Sequence, residues 1–149
     1  MPQLTVAKEN LVPVMQALRD GKFRFAHCSM ITAVDHMPEE PRFEVVYGLY
    51  SPSCNQWLRV KTHCQEFEEE VPSVTGIWSG ANWLERECFD MFGIRFQGHP
   101  DLRRLLMPEG YEHFPLRKEF PRDGIEPGRL YRQWDEGRRR EGAEEESAS

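Results

Sequence analysis

The sequence has no long apolar run, no excess of basic charge and no closely spaced cysteine pair, and each absence removes a class of function. Its most apolar stretch, FEVVYGLY from Phe43 to Tyr50, contains Glu44 and falls far short of the ~20 residues that span a bilayer. Lys and Arg number 19 against 25 Asp and Glu, for a net charge of -6 and a pI near 5.4. That balance lacks the basic field with which nucleic-acid binders hold phosphates, so nucleic acid is not an expected partner. Cys28, Cys54, Cys64 and Cys88 fit neither a zinc ribbon nor an iron-sulfur run. His63 next to Cys64 does not make a chelating pair, because neighbours in an extended segment point to opposite faces. The opening MPQLTVAKENLVPVMQALRD lacks the basic, apolar and small-residue segments of a secretory leader. The cysteines are therefore expected as thiols in or near a core.

Catalytic patterns are missing as well. There is no Gly-x-Ser-x-Gly elbow, no His-Glu-x-x-His, and GIWSG and GIRFQG lack the Lys or third Gly of a nucleotide loop. His99 and His113, each close to a proline, could serve a small metal-dependent hydrolase only with a carboxylate as third ligand, and the sequence places none beside them. Glu85, Glu87 and Asp90 could supply paired carboxylates, but Glu85 and Glu87 are two apart and leave a helix in different directions. Pairing with Arg86, Arg95, Arg103 or Arg104 is the expected use of these acids.

What is present fits one domain, since 149 residues suffice for a single core. Val6, Leu11, Val14, Met15 and Leu18 recur at mostly helical spacing before Gly21, with Pro13 placed in the first turn or at a kink. FRFAHCSMITAVDH reads as a strand, and RFEVVYGLYS with QWLRVKTHC reads as a hairpin around SPSCN. Residues 66–70 suggest a short acidic surface helix. From Asn82 to Phe92 a helix is expected, with Asn82 and Glu85 as a reciprocal cap and Gly93 as its left-handed end. Ala81, Leu84, Cys88 and Met91 form its buried stripe, and Arg86 and Asp90, four apart, can pair. Beyond Gly93 the chain is rich in Pro and Gly and should run extended over its own domain. The end, DEGRRREGAEEESAS, carries no apolar anchor and is expected to be disordered.

Arg, acids and aromatic groups concentrate in NWLERECFDMFGIRFQGHPDLRRLL and PLRKEFP, the residue types enriched where proteins meet. From the residues alone, a joint between subunits and an internal brace are equally open. These two stretches closely resemble the signature of the 30-kDa subunit family of respiratory complex I, the C subunits of NADH:quinone oxidoreductase. The matching positions include Glu85, Arg86, Glu87, Asp90, Gly93, His99, Pro100, Arg103, Arg104, Pro115, Arg117 and Lys118, and weaker likeness covers most of residues 5–121.

The resemblance implies an α+β fold: a single domain over residues 1–121, with an antiparallel or mixed sheet and packed helices. Beyond it, residues 122–149 read by their own composition as an extended partner-binding tail, in which Ile125, Leu130, Tyr131 and Trp134 are too few for a core and can insert into a neighbouring subunit. The resemblance implies a structural subunit with no catalytic residue, cofactor or metal of its own. That subunit sits in the hydrophilic arm of an ion-translocating enzyme on the cytoplasmic side of a bacterial inner membrane. There it braces the quinone-site subunit beside an iron-sulfur subunit, while the assembly passes electrons from NADH through flavin and iron-sulfur clusters to quinone. Equivalent subunits serve membrane-bound hydrogenases and ferredoxin-dependent complexes. Arg103 and Arg104 are the expected carriers of assembly.

Overall fold

The computed structural model describes residues 1–65, 70–125, 128 and 132. A four-stranded mixed sheet with two helices on one face forms the body, an α+β architecture. Strand β1 (Gln3–Thr5) leads through a 3-10 turn at Lys8–Asn10 into helix α1 (Leu11–Asp20). Strands β2 (His27–Asp35), β3 (Phe43–Ser51) and β4 (Gln56–Cys64) follow as an antiparallel meander. The sheet order is β1-β4-β3-β2, with β1 parallel to β4. Strand β5 (Val71–Pro72) pairs in parallel with β6 (Phe96–Gln97), and helix α2 (Ala81–Phe92) lies between them in sequence.

The hairpin expected around SPSCN is formed: Ser51 opposes Gln56, and Asn55 takes a positive φ of 49° that Asn tolerates better than most residues. The first helix is shorter than the apolar spacing predicts. Leu11 and Met15 bury on the core side, whereas Val6 is buried from extended chain ahead of the helix. Pro13 sits in the first turn, where its missing N–H leaves no bond unmade. Strand β1 gave no sequence signal, because its three residues are all exposed and its order comes from the edge of β4. The short helix expected over residues 66–70 lies largely outside the described residues.

Alternate residues of β3, namely Phe43, Val45, Tyr47 and Leu49, face a core shared with Leu11, Met15, Val60, Ala81, Cys88, Met91 and Phe92. Each large side chain fully buried there contributes about 1.5–3 kcal/mol. His63 is half-buried and Cys64 buried, as opposite faces of a strand require. All four cysteines are free, and Cys54, on the hairpin turn, is exposed rather than near the core.

Candidate functional site

Helix α2 carries the signature, and its two ends and one flank are all engaged by chain that follows it. The reciprocal cap expected from Asn82 and Glu85 does not form. The helix begins one residue earlier, with Gly80 at the cap position and no side-chain cap bond. Glu85 turns inward instead. Its Oε1 accepts the Val74 N–H at 2.7 Å, and its Oε2 accepts the Ser73 hydroxyl at 2.7 Å. The carboxyl thus pins the turn after β5 to the helix. Burial pushes its pKa up to about 7, against the pull of those two bonds. Tyr47, fully buried, has a phenol raised well above its ordinary range by burial and by the Glu85 charge.

The pairing expected between Arg86 and Asp90 is also replaced. Buried Arg86 donates from Nε to the Arg103 carbonyl at 3.2 Å and from Nη2 to the Arg104 carbonyl at 3.1 Å, and its guanidinium lies 5.0 Å from the Trp83 ring. Asp90, wholly buried, binds Arg104 Nη1 at 2.7 Å through Oδ1. Its Oδ2 accepts three successive backbone N–H groups, from Leu105 at 3.1 Å, Leu106 at 2.6 Å and Met107 at 2.8 Å. An acid on α2 and a base on α2 therefore satisfy opposite polar groups of one irregular segment. Helical spacing made the i,i+4 pair available. The nearby turn offered both side chains more bonds, and a buried backbone group left unbonded costs more than a local pair contributes.

Arg104 donates onward from Nη2 to the His113 carbonyl at 3.2 Å and lies over the Tyr111 and Phe114 rings at 5.7 and 5.1 Å. His99, after the Gly98 corner, accepts the Asp101 N–H on Nδ1 at 3.0 Å. Its Nε2 therefore carries the proton and donates to the Asn82 carbonyl at 3.1 Å. Both ring nitrogens are used, and among the described residues no group of three or more His, Cys, Asp or Glu is placed to hold a metal. His113 is exposed, Glu87 projects to solvent, and Pro100 is exposed beside the corner.

The C-terminal end of α2 is closed by the second signature stretch. Gly93 is left-handed at φ 78°, as expected, and its N–H reaches the Phe89 carbonyl. A side chain here would meet Arg117 Nη2 at 2.7 Å and Phe114 Cζ at 2.8 Å, so the position requires glycine twice over. Buried Arg117 donates from Nε to the Phe92 carbonyl at 2.6 Å and stacks between Phe43 at 5.3 Å and Phe114 at 4.5 Å. Leu116 N–H meets the Met91 carbonyl, and Pro115 is half-buried next to it.

Two residues that the sequence did not single out, Asp35 and Arg42, complete the clasp with Lys118 and Glu119 of the second signature stretch. Asp35, at the end of β2, accepts the Lys118 N–H at 2.9 Å and is gripped by Arg42 through Nε at 3.0 Å and Nη2 at 2.8 Å. Burial alone would raise the Asp35 carboxyl, but Arg42 and the Lys118 and Met37 amides outweigh it and hold the acid far below its usual range. Arg42 also bonds Glu119, whose own acid is lowered by Arg42 and Arg117 against a desolvation cost. Lys118 Nζ ends on the Met37 carbonyl at 2.7 Å. Separations of 77 and 83 residues leave no periodic trace that could have been read in advance.

Arg103 and Arg104, expected to act together, part company. The Arg104 side chain is 12% exposed and internal, while that of Arg103 is 61% exposed and touches Asp101 at 2.9 Å. Trp83, Leu106 and Leu116 are exposed by more than half around the same joint. Tyr131 and Trp134 lie outside the described residues. The start of the tail is tied home, since the Tyr111 hydroxyl donates to the Ile125 carbonyl at 2.7 Å.

The model of a family described as respiratory-chain NADH dehydrogenase, 30 Kd subunit, matches residues 4–126, which take in both signature stretches. The chain belongs to that family. It is 53% identical over 121 residues to the second C subunit of NADH-quinone oxidoreductase from Rhizobium etli, across 80% of this chain and 64% of that one. It therefore spans less than two thirds of that relative. It is 46% identical over 121 residues to the second C/D subunit of NADH-quinone oxidoreductase from Aquifex aeolicus, again across 80% of this chain but only 20% of the other. Among solved structures it is similar to Nqo5, in a trypsin-resistant fragment. The TM-score is 0.62 with 33% identity, covering 67% of this chain and 81% of that one. The structural likeness covers two thirds of this chain, and Tyr131 and Trp134 fall beyond the residues that the family matches.

Proposed function

We propose that this chain is a structural, non-catalytic subunit of an ion-translocating NADH:quinone oxidoreductase. In that role it braces a neighbouring hydrophilic-arm subunit at the quinone site while other subunits hold flavin and iron-sulfur clusters. The observation that carries this reading is the use made of the signature charges. Asp90, Arg104, Arg86 and Arg117 are each spent on holding the chain after α2 against the helix, rather than converging on an open pocket. What they leave facing outward, Trp83, Arg103, Leu106 and Leu116, is a rigidly presented set of apolar groups with one guanidinium, the composition of an interface centre.

Family membership and the names borne by the relatives support the same reading. In the Aquifex aeolicus relative the matched region occupies a fifth of a chain named C/D, which favours a neighbour held close to this domain. No helix among the described residues is long and apolar enough to cross a membrane. The proposed position is peripheral, on the cytoplasmic side of a bacterial inner membrane, with a quinone-site subunit and an iron-sulfur subunit as neighbours. Tyr131 and Trp134 are proposed as further anchors into one of them. The hydrolase alternative finds no support in the site, because His99 is fully bonded within the joint.

The test is substitution of Arg103 and Arg104 to Ala in the cell's own assembly, singly and together. Arg104→Ala should lower subunit stability and complex abundance together. Arg103→Ala should lower complex abundance and quinone reduction while the free subunit unfolds as before. Wild-type abundance and quinone reduction in the double variant would refute the assignment.

A further inference from the structure

The face of the sheet turned away from both helices is a second candidate interface, remote in character from the α2 joint. The β2, β3 and β4 registers place His27, Tyr50 and Trp57 in one row across it. The next rows are Met30, Gly48 and Arg59, then Thr32, Val46 and Lys61, then Val34, Glu44 and His63. Met30, Val34 and Trp57 are 38, 41 and 47% exposed, and none of them belongs to the core cluster. Val46 is buried at 6% yet also stands apart from that cluster. A sheet with one wet face should alternate polar with apolar along each strand, whereas FEVVYGLYS is apolar on both parities in its centre, the pattern of a strand covered twice.

Charge says what would cover it. Among the described strand residues, β4 sends Arg59, Lys61 and His63 to this face, against Glu44 as the one acid. Glu44 is already taken by Lys61 at 2.9 Å, with His63 at 3.8 Å. Among the described residues, the buried Nε of Arg59 and the buried Nδ1 of His63 find no hydrogen-bond partner. An arginine whose Nε lacks an acceptor, on the same strand face as Lys61 and His63, is the kind of group a partner's carboxylate answers. A second copy that met this face with the same face would bring no free acid to Arg59 from its described strands, because Glu44 is engaged there.

We propose that this sheet face is a docking surface for another subunit of the assembly, one that presents apolar groups to Met30, Val46 and Trp57 and a carboxylate to Arg59. The proposal rests on the reading of the chain as an assembly subunit, and its test separates the two. Thr32→Cys, central on the sheet face, and Leu116→Cys, at the α2 joint, are each made with Cys54→Ser. Cys64 and Cys88 are buried, and the label taken up by half-buried Cys28, whose thiol burial pushes up to about 12, is subtracted with the parent carrying Cys54→Ser alone.

Maleimide labelling is compared between the free full-length chain and the purified complex. Both positions should be protected about tenfold or more in the complex, as in the water-excluded centre of an interface. A benzophenone attached to the thiol introduced by Thr32→Cys should cross-link to a different subunit, in a segment containing Asp or Glu. Protection at the α2 joint with free-chain labelling on the sheet face would overturn the sheet-face proposal and leave the subunit reading intact. Loss of protection at both would overturn both. A cross-link to a second copy of this chain, or unchanged complex yield with Arg59→Glu when Arg59→Lys is the control, would overturn the carboxylate-bearing partner.

Discussion

The hairpin of β3 and β4 and the irregular chain from Gly98 to Pro121 lie in one domain but are held by opposite means. In the hairpin nine residues face nine in unbroken register, so backbone satisfies backbone and no one side chain is indispensable. In the irregular chain the backbone is held largely by side chains. Asp90 takes the N–H groups of residues 105–107, Arg86 the carbonyls of 103 and 104, Arg104 that of 113, and Asp35 the N–H of 118. A region stabilised by many equivalent bonds tolerates single changes, whereas one held by a few charged side chains fails at each of them. The second kind of region can be shaped freely, which suits a surface that must match a partner, and its shape is then only as secure as its clasps.

The contrast is most sharply broken at Asp90. Asp90→Ala strands three backbone donors and the buried Arg104 guanidinium together, and a buried pair broken in this way costs about 3–5 kcal/mol. Lys61→Ala in the hairpin, which removes one partly exposed ion pair, should cost about 0–1 kcal/mol. Urea unfolding of the two variants measures the difference, and limited proteolysis of the Asp90 variant should open new cuts near residues 103–107. Equal losses would mean that the clasp is not what holds the segment.

Glu85 sharpens the comparison through pH. It is a clasp of the same kind, on the turn after β5, but its burial disfavours the charge, with the pKa raised from 4.5 to about 7. A folded acid raised in this way binds its proton more tightly than the unfolded chain does. Its contribution is therefore complete below about pH 4.5 and is lost as pH rises towards 7. Glu85→Gln keeps an acceptor for the Val74 N–H and carries no charge. Relative to wild type it should gain stability between pH 5 and 8 by on the order of 2 kcal/mol, read from denaturant midpoints at the two pH values. A parallel pH dependence in both proteins would show that Glu85 does not titrate in this window.

The smallest effect is expected at Arg103. Its side chain is mostly exposed and its ion-pair partner, Asp101, is exposed too, so Arg103→Ala should change unfolding by less than about 0.5 kcal/mol. Thermal or urea unfolding of the free subunit checks this. A large loss would place Arg103 among the internal clasps and remove it from the outward-facing set.

Much of this was legible in residue order. The hairpin, the strand before it, the buried stripe of α2 and the left-handed Gly93 follow from period, turn chemistry and the shape of glycine, all of which act between near neighbours. The signature stretches identified the family and the region that carries the joint. The same local rules misassigned individual partners: Asn82 and Glu85 read as a cap, and Arg86 and Asp90 read as a pair. In each case the residue was rightly singled out, and a better-placed polar group elsewhere won it.

By itself, the sequence determined the two helices and the three long strands, which faces are apolar, and that the acids and bases around α2 would be used together, but not the short strands β1, β5 and β6. The tertiary structure alone decided who binds whom. It brought Asp35 and Arg42 to Lys118 and Glu119 of the second signature stretch across some eighty residues, sent Arg104 inward and Arg103 outward, and left the Arg59 Nε on one sheet face without an acceptor among the described residues. The reason is physical. Secondary structure is set by backbone geometry and spacing that repeat every two or 3.6 residues. Buried charge is settled by whichever donors and acceptors the packed fold delivers within about 3 Å, and no periodicity encodes that.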